Sequence, residues 1–186
     1  MAVHFTGPIL HAGKDGSRKW FSNLPITASP DYVVYMDDFT GIALDATNDW
    51  TVVKDSSASA ALGADVESGA LVLSSQATTD NDGASVQGNE IFAVNADRDV
   101  WFETKLTPTD AEGSNMDICV GLTVNFATNP EAMLAAADRI VFQVNDGDSN
   151  ILCKTEKDGT ETSTDSGIDI ASGTAVTLGF HVTNTS

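Results

Sequence analysis

Three histidines are the candidates for general-base chemistry in this chain: His4, His11 and His181. A histidine-based nucleophilic triad would have to include one of them. The sequence has no G-x-S-x-G motif to supply an activated serine, and none of its many acidic residues falls in a recognisable spacing for a glycosidase carboxylate pair. We therefore expect surface or packing histidines, no catalytic residues and no enzymatic activity.

The segment NDGDSN is the strongest candidate for a cation site. Asp146, Asp148 and Asn150 reproduce the first three ligand positions of an EF-hand loop, but position six is Ile151 instead of glycine and position twelve is Lys157 instead of glutamate. Asp, Gly and Asn are also the residues that a tight turn requires. We predict a hairpin turn between residues 139–146 and 150–157, with no metal and no cofactor.

Two cysteines, Cys119 and Cys153, lie in apolar runs. Two are too few for a disulfide-stapled scaffold, so we interpret them as small core residues. A disulfide between them would require their strands to be neighbours, which the sequence alone does not decide.

The charge of the chain is large and unevenly distributed. The formal net charge is −18, yet residues 1–19 contain three basic residues and one acidic residue, which leaves six basic and 26 acidic residues for the rest. An acidic body repels phosphates, so nucleic acid and anionic membranes are not expected partners. Solubility in a salty medium is the alternative reason for the acidity.

From residue 31 onward, short runs of β-branched, aromatic and aliphatic residues alternate with clusters of Gly, Asp, Asn, Ser and Thr. This pattern predicts an all-β domain. The predicted strands lie within residues 31–39, 49–55, 69–76, 84–94, 100–107, 116–124, 139–146, 150–157 and 175–182. In VWFETKLT the period is two, with Val100 and Phe102 on one face and Trp101 and Glu103 on the other. Such strands suit two antiparallel sheets that cover each other. The acidic stretches, among them KDGTETSTDSG, are interpreted as loops.

Two segments depart from this pattern. NPEAMLAAAD, residues 129–138, places Asn129 as a helix cap and Pro130 at the first helical position, so we predict one short helix of about two turns near 130–137. Residues 1–30 are punctuated by Gly, Pro and Ser and predict an extended N-terminal arm, followed by one β-sandwich domain at 31–186.

The arm is rich in apolar side chains that are costly to leave in water, so it must lie against something. The arm lacks the cationic start, the continuous apolar run and the cleavage site of a secretory signal, so we expect it to be retained. Burial against another protein is favoured over folding back as an edge strand of its own domain. The arm residues expected to bind a partner are Val3, Phe5, Pro8, Ile9, Leu10, Lys14, Arg18, Lys19, Trp20 and Phe21.

An ordered series of short motifs resembles the concanavalin A-like, laminin-G-like jelly rolls. The series covers residues 35–182 approximately, with matching positions Phe39, Gly41, Trp50, Gly69, Leu71, Leu73, Phe102, Glu103, Lys105, Val120, Gly121 and Leu122. The resemblance implies a jelly-roll sandwich of antiparallel strands. The superfamily includes glucanases, but their E-x-D-x-x-E strand is absent here. It also includes lectins, whose sugar-binding loops cannot be mapped onto this chain.

The opening HFTGPIL, followed by Gly13, resembles the start of tailed-phage structural proteins encoded near the major capsid protein. Together the two resemblances imply a decoration or cement protein that is made in the host cytoplasm and binds the capsid exterior. The expected partners are the major capsid protein and further copies of the chain, as a dimer or trimer. A carbohydrate-binding module with an exposed Trp50 or Trp101 is the alternative, although both tryptophans are predicted to be core residues. A glycoside hydrolase is the second, disfavoured alternative.

Overall fold

The computed structural model describes residues 35–75, 83–94, 99–109, 116–124 and 129–183. The chain divides into two units between Asp38 and Phe39, and the strands described below belong to the second unit, Phe39–Ser186. The predicted arm, residues 1–30, lies outside the described residues. The described residues contain no helix with the length and hydropathy that a membrane-spanning helix requires.

The described residues of this unit form ten strands and one turn of 3-10 helix. Their bounds are β1 Thr51–Lys54, β2 Ser59–Leu62, β3 Leu71–Ser74, β4 Ala84–Gln87, β5 Val100–Leu106, β6 Ile118–Thr123, β7 Arg139–Val144, β8 Asn150–Lys157, β9 Thr160–Asp169 and β10 Val176–Val182, with the 3-10 helix at Ala132–Ala135. All described pairings are antiparallel. The prediction of an all-β, antiparallel fold is therefore confirmed.

The strands are arranged in one four-stranded sheet, in the order β6-β7-β8-β9, and three two-stranded sheets, β5–β10, β1–β4 and β2–β3. One face of the four-stranded sheet packs against one face of the β5–β10 pair. Phe142 and Ile151 from the first meet Leu178 from the second in a buried cluster, with Phe102 and Phe180 packed against it. This two-layer packing is consistent with a β-sandwich.

The alternation of side chains explains this core. Residues directly opposite each other in an antiparallel pair lie on the same face, and the register places Phe102 opposite Phe180 and Leu106 opposite Val176. The two phenyl rings stack with centroids 5.0 Å apart. The prediction that Val100 and Phe102 share a face opposite to that of Trp101 is confirmed.

Most predicted strands are present, but four predictions need correction. Of the strand predicted at 31–39, residues 31–34 lie outside the described residues and 35–39 contain no strand; Phe39 has a left-handed φ of 55°, which strands do not adopt. The strand predicted at 84–94 ends at Gln87. Two strands were missed: β2, which is rich in alanine, and β9, which lies in the acidic stretch interpreted as a loop.

The predicted helix near 130–137 is shorter than expected. The Asn129 side chain does accept a hydrogen bond from the Glu131 N–H at 2.8 Å, but only Ala132–Ala135 are helical, in a 3-10 turn. The Arg139 guanidinium donates to the carbonyls of Met133 and Leu134, which a second α-helical turn would require. The prediction of two turns was wrong: the helix ends at Ala136, whose backbone is extended with φ −67° and ψ 133°, and the two carbonyls bind the Arg139 side chain instead.

The hairpin predicted at NDGDSN is confirmed. β7 and β8 pair directly, and Gly147 takes the left-handed φ of 74° that the turn demands. The Asp148 carboxylate accepts hydrogen bonds from the N–H groups of Ser149 and Asn150, and the Asp117 carboxylate accepts one from the Asp146 N–H. These aspartates therefore stabilise the turn by accepting hydrogen bonds from its backbone N–H groups.

Cys119 and Cys153 are both free thiols. Cys119 lies on β6 and Cys153 on β8, and β7 separates these strands in the sheet. The neighbouring strands that a disulfide would require are therefore not present.

Candidate functional site

The arm residues predicted to bind a partner lie outside the described residues, so the structure does not place them. They are Val3, Phe5, Pro8, Ile9, Leu10, Lys14, Arg18, Lys19, Trp20 and Phe21. The candidate site that the described residues provide is instead the outer face of the β5–β10 sheet, opposite the core.

An aromatic pair lies at one end of this outer face. The register sets Trp101 opposite His181, and their rings stack with centroids 4.6 Å apart and an interplanar angle of 11°. Trp101 is half-buried on the face that points away from the core, so the prediction that it is a core residue was wrong. His181 Nε2 lies 3.0 Å from the Asp99 carboxylate.

This arrangement differs from a hydrolytic triad in its use of the imidazole. In a serine-hydrolase triad the carboxylate binds Nδ1, and Nε2 takes the proton of the nucleophile. Here Nε2 faces the carboxylate of Asp99, while a face of the ring lies on Trp101. The geometry orients the histidine against the tryptophan and suits a packing or binding role.

The other end of the outer face is charged. Glu103 lies opposite Gly179, and Lys105 lies opposite Thr177. A side chain at position 179 would begin 3.0 Å from the Phe102 carbonyl oxygen, so this position favours glycine and leaves the space beside Glu103 open. The face thus combines one aromatic pair with one acidic and one basic side chain, a set that suits polar ligands with an apolar face.

Trp50 has different surroundings. Its ring lies 5.6 Å from that of Phe39, and Gly88 faces its edge. The Trp50 backbone N–H donates a hydrogen bond to the Asp45 carbonyl, at the end of a turn. Within this turn the Asp45 carboxylate accepts hydrogen bonds from the Asn48 side chain and from the N–H groups of Thr47 and Asn48. These hydrogen bonds, led by that from the Asn48 side chain, lower the pKa of Asp45. Trp50 is half-buried and anchored by this turn.

A second polar cluster, which the sequence analysis missed, lies on the outer face of the four-stranded sheet. The buried Arg139 forms ion pairs with Glu156, at 2.9 Å, and with Glu161, and Lys154 lies 3.4 Å from Glu161. Alternation in RIVFQV was the available signal, since it puts Arg139 on the face away from Phe142. We call these four residues the Arg139 cluster.

Within the described ranges, no group of three or more His, Cys, Asp or Glu side chains could hold a metal ion. Comparison of the chain with protein-family models, with curated proteins and with solved structures found no match.

Proposed function

We propose that this chain is a non-enzymatic structural protein of a phage virion, a decoration protein that binds major capsid subunits through its N-terminal arm. The observation that carries the proposal is the difference in charge between the arm and the body. Residues 1–19 are basic and apolar, whereas the rest of the chain contains 26 acidic and six basic residues. Because HFTGPIL resembles the start of phage structural proteins, we interpret this difference as that between a capsid-binding arm and a solvent-facing body.

The structure adds support through the few basic residues of the body. The described residues include five lysines or arginines, and two of these, Arg139 and Lys154, are held in ion pairs with Glu156 and Glu161. They are therefore less available to an external partner. The remaining acidic surface would repel nucleic acid and anionic lipid, and would keep neighbouring bodies apart on a crowded shell.

The arm would supply the binding energy. Each fully buried aliphatic or aromatic side chain contributes roughly 1.5–3 kcal/mol, whereas ordering each backbone residue costs about 1 kcal/mol or more. Summed over one arm, the free energy gained by burying its apolar side chains nearly equals the cost of ordering its backbone. Lasting attachment would therefore come from several copies acting together as a dimer or trimer. The proposed body is a concanavalin A-like jelly roll, located on the capsid exterior.

Co-sedimentation with capsid shells tests the proposal. Shells assembled from the major capsid protein of the phage that encodes this chain are mixed with the full chain, with a variant lacking residues 2–20, and with Ile42→Ser. Ile42 is fully exposed in the body, so its substitution is a matched apolar control. We expect the full chain and Ile42→Ser to sediment with shells and the truncated chain to remain in the supernatant. Equal sedimentation of the truncated chain would contradict the arm's role.

A carbohydrate-binding module is the second candidate, favoured by the position of Trp101 on the outer face. Aromatic rings beside polar groups are typical of sites for polar ligands with an apolar face. A glycan array probed with the unsubstituted chain and with Trp101→Ala distinguishes this function. Specific glycan binding that Trp101→Ala removes and Lys54→Ala preserves would favour it, provided that the chain does not bind shells.

A further inference from the structure

The last strand of the four-stranded sheet, β9, presents a long free edge among the described strands. It pairs with β8 on one side and is last in the sheet order. It is ten residues long, and nine of these residues are exposed in the single chain. Its pairing with β8 is regular over 160–165 and is interrupted by a bulge at 166–168, where Gly167 has a left-handed φ of 71° and its N–H donates to the Asp165 carboxylate. Along the regular part, alternate residues direct their N–H and C=O groups away from the sheet, where they can pair with an added strand.

The chemistry of this edge restricts what can be added to it. β9 carries Asp165 and Asp169, together with Glu161, which is already ion-paired with Arg139 and Lys154, and it has no lysine or arginine. It also carries Ile168, which is 50% exposed. An occupant should therefore be basic and should offer apolar side chains, because like charges across a strand pair are destabilising.

A second β9 strand does not meet these requirements. Pairing two copies of β9 would bring the Asp165 and Asp169 carboxylates of both strands together along one seam, between chains that each carry a net charge of −18. The segment of this chain with the complementary chemistry is KDGSRKWF, residues 14–21, in which three basic residues outnumber one acidic residue and are followed by Trp20 and Phe21.

The length of the chain allows this segment to reach a neighbour. Thirteen residues, 22–34, link this segment to Tyr35, the first described residue, and a chain of this length spans on the order of 45 Å when extended. In the single chain β9 is exposed along nearly its whole length, so its edge is open to another molecule.

We propose that residues 14–21 of one copy add to the β9 edge of a second copy, and that this exchange is the contact that makes the protein a homo-oligomer. Backbone hydrogen bonds to the regular part of the edge, residues 160–165, hold the added segment, and its basic side chains face Asp165 and, beyond the bulge, Asp169. The contact forms between copies in solution and does not require a shell. Residues 2–10 of the arm remain available for the shell proposed above.

Mixed cysteine variants test the contact directly. One preparation carries Ser17→Cys, and the other carries either Ser163→Cys on β9 or Ser56→Cys, an exposed control in the turn after β1. After mild oxidation we expect the disulfide-linked heterodimer with Ser163→Cys to exceed that with Ser56→Cys by about five-fold or more. Raising NaCl from about 0.05 M to about 1 M should lower this yield, because exposed charges are screened. Equal yields from the two partners would overturn the proposal.

A charge exchange provides the second test. Asp169→Lys should reduce the oligomer fraction in sedimentation velocity, whereas Glu67→Lys, an equal change at an exposed position outside β9, should leave it unchanged. Combining Asp165→Lys and Asp169→Lys with Arg18→Glu and Lys19→Glu reverses the charges on both sides of the contact and should restore the oligomer. Failure of this rescue would reject a direct contact. Shell co-sedimentation is measured separately, so loss of shell binding with intact oligomers would reject the proposed function and leave this inference standing.

Discussion

The guanidinium of Arg139 lies 2.9 Å from the carboxylate of Glu156, with 4% of the arginine side chain and 13% of the glutamate side chain exposed. The same guanidinium binds Glu161 on β9 and the carbonyls of Met133 and Leu134 within the 3-10 turn. One side chain therefore joins β7, β8, β9 and the connection that precedes β7. A buried charge with this many partners holds the outer face of the sheet in one arrangement.

Removal of the arginine side chain should be strongly destabilising. Arg139→Met leaves Glu156 in a mostly buried position without its cation, and breaking such a pair typically costs about 3–5 kcal/mol. Urea unfolding followed by circular dichroism measures the loss. Lys157→Met, at an exposed position of the same β7–β8–β9 region, is the matched control and should change stability by about 0.5 kcal/mol or less. A loss from Arg139→Met no larger than that of the control would show that the ion pairs contribute little.

Gly121 should be intolerant of any side chain. It has a φ of 152°, and a Cβ atom at this position would lie 2.3 Å from the Ile140 carbonyl oxygen and 2.8 Å from the Val141 Cα. Both obstacles are backbone atoms of the adjacent strand, so Gly121→Ala must displace β6 from β7 and should cost about 3 kcal/mol or more.

Gly159→Ala is the control for this glycine. Gly159 has a φ of 75° in the turn between β8 and β9, and no atom lies within 4 Å of the Cβ that alanine would add. Its substitution should cost only the left-handed backbone penalty of about 1–2 kcal/mol. The midpoints of urea unfolding for the two variants give the comparison. Equal losses would mean that the close approach at Gly121 relaxes without cost.

Sequence patterns predicted the strands that have one buried face and missed those that do not. β5 alternates between core and outer residues, and its prediction as VWFETKLT differs from the structure by one residue. β9 is exposed on both faces, so hydrophobic periodicity gave no signal, and its acidic residues resembled a loop. Its strand conformation comes from backbone pairing with β8, a tertiary effect.

The candidate site was less predictable than the fold. The alternation of β5 separates Trp101 from Phe102, but the position of His181 opposite Trp101 depends on pairing with β10, about 80 residues later in the chain. Arg139 begins the run RIVFQV, where alternation places it on the face away from Phe142. Its burial depends on partners from β8, β9 and the 3-10 segment. Such long-range partners cannot be read from local periodicity.

Tryptophan fluorescence should test whether Trp101 and His181 stack on the outer face. His181→Ala removes the ring that covers one side of Trp101, so the tryptophan emission should shift to longer wavelength. The lost aromatic contact should lower stability by about 0.5–1.5 kcal/mol. Thr177→Ala, at an exposed position of the same face, should change neither quantity appreciably. An unchanged emission spectrum in His181→Ala would contradict the stacked geometry.

The two thiols should be poor nucleophiles, and Cys119 the poorer. Burial raises the pKa of Cys119 to about 12, with opposing but smaller effects from Arg139 and Lys154. Burial also raises the pKa of Cys153, with a further contribution from Asp165. At pH 8 a thiol with a pKa near 12 is ionised in only about one molecule in ten thousand, so iodoacetamide should leave Cys119 unmodified in the native protein and alkylate both cysteines in urea.

The raised pKa of Cys119 also sets the sign of a pH dependence. In the unfolded chain the thiol ionises near its ordinary value of about 8.5, whereas in the folded chain it stays protonated up to about pH 12. Its contribution to stability is therefore complete below the unfolded pKa and is lost as pH rises from about 8.5 toward 12. The free energy of unfolding of the unsubstituted chain should fall more steeply over this interval than that of Cys119→Ala. Parallel pH profiles for the two proteins would show that the folded state accommodates the Cys119 thiolate.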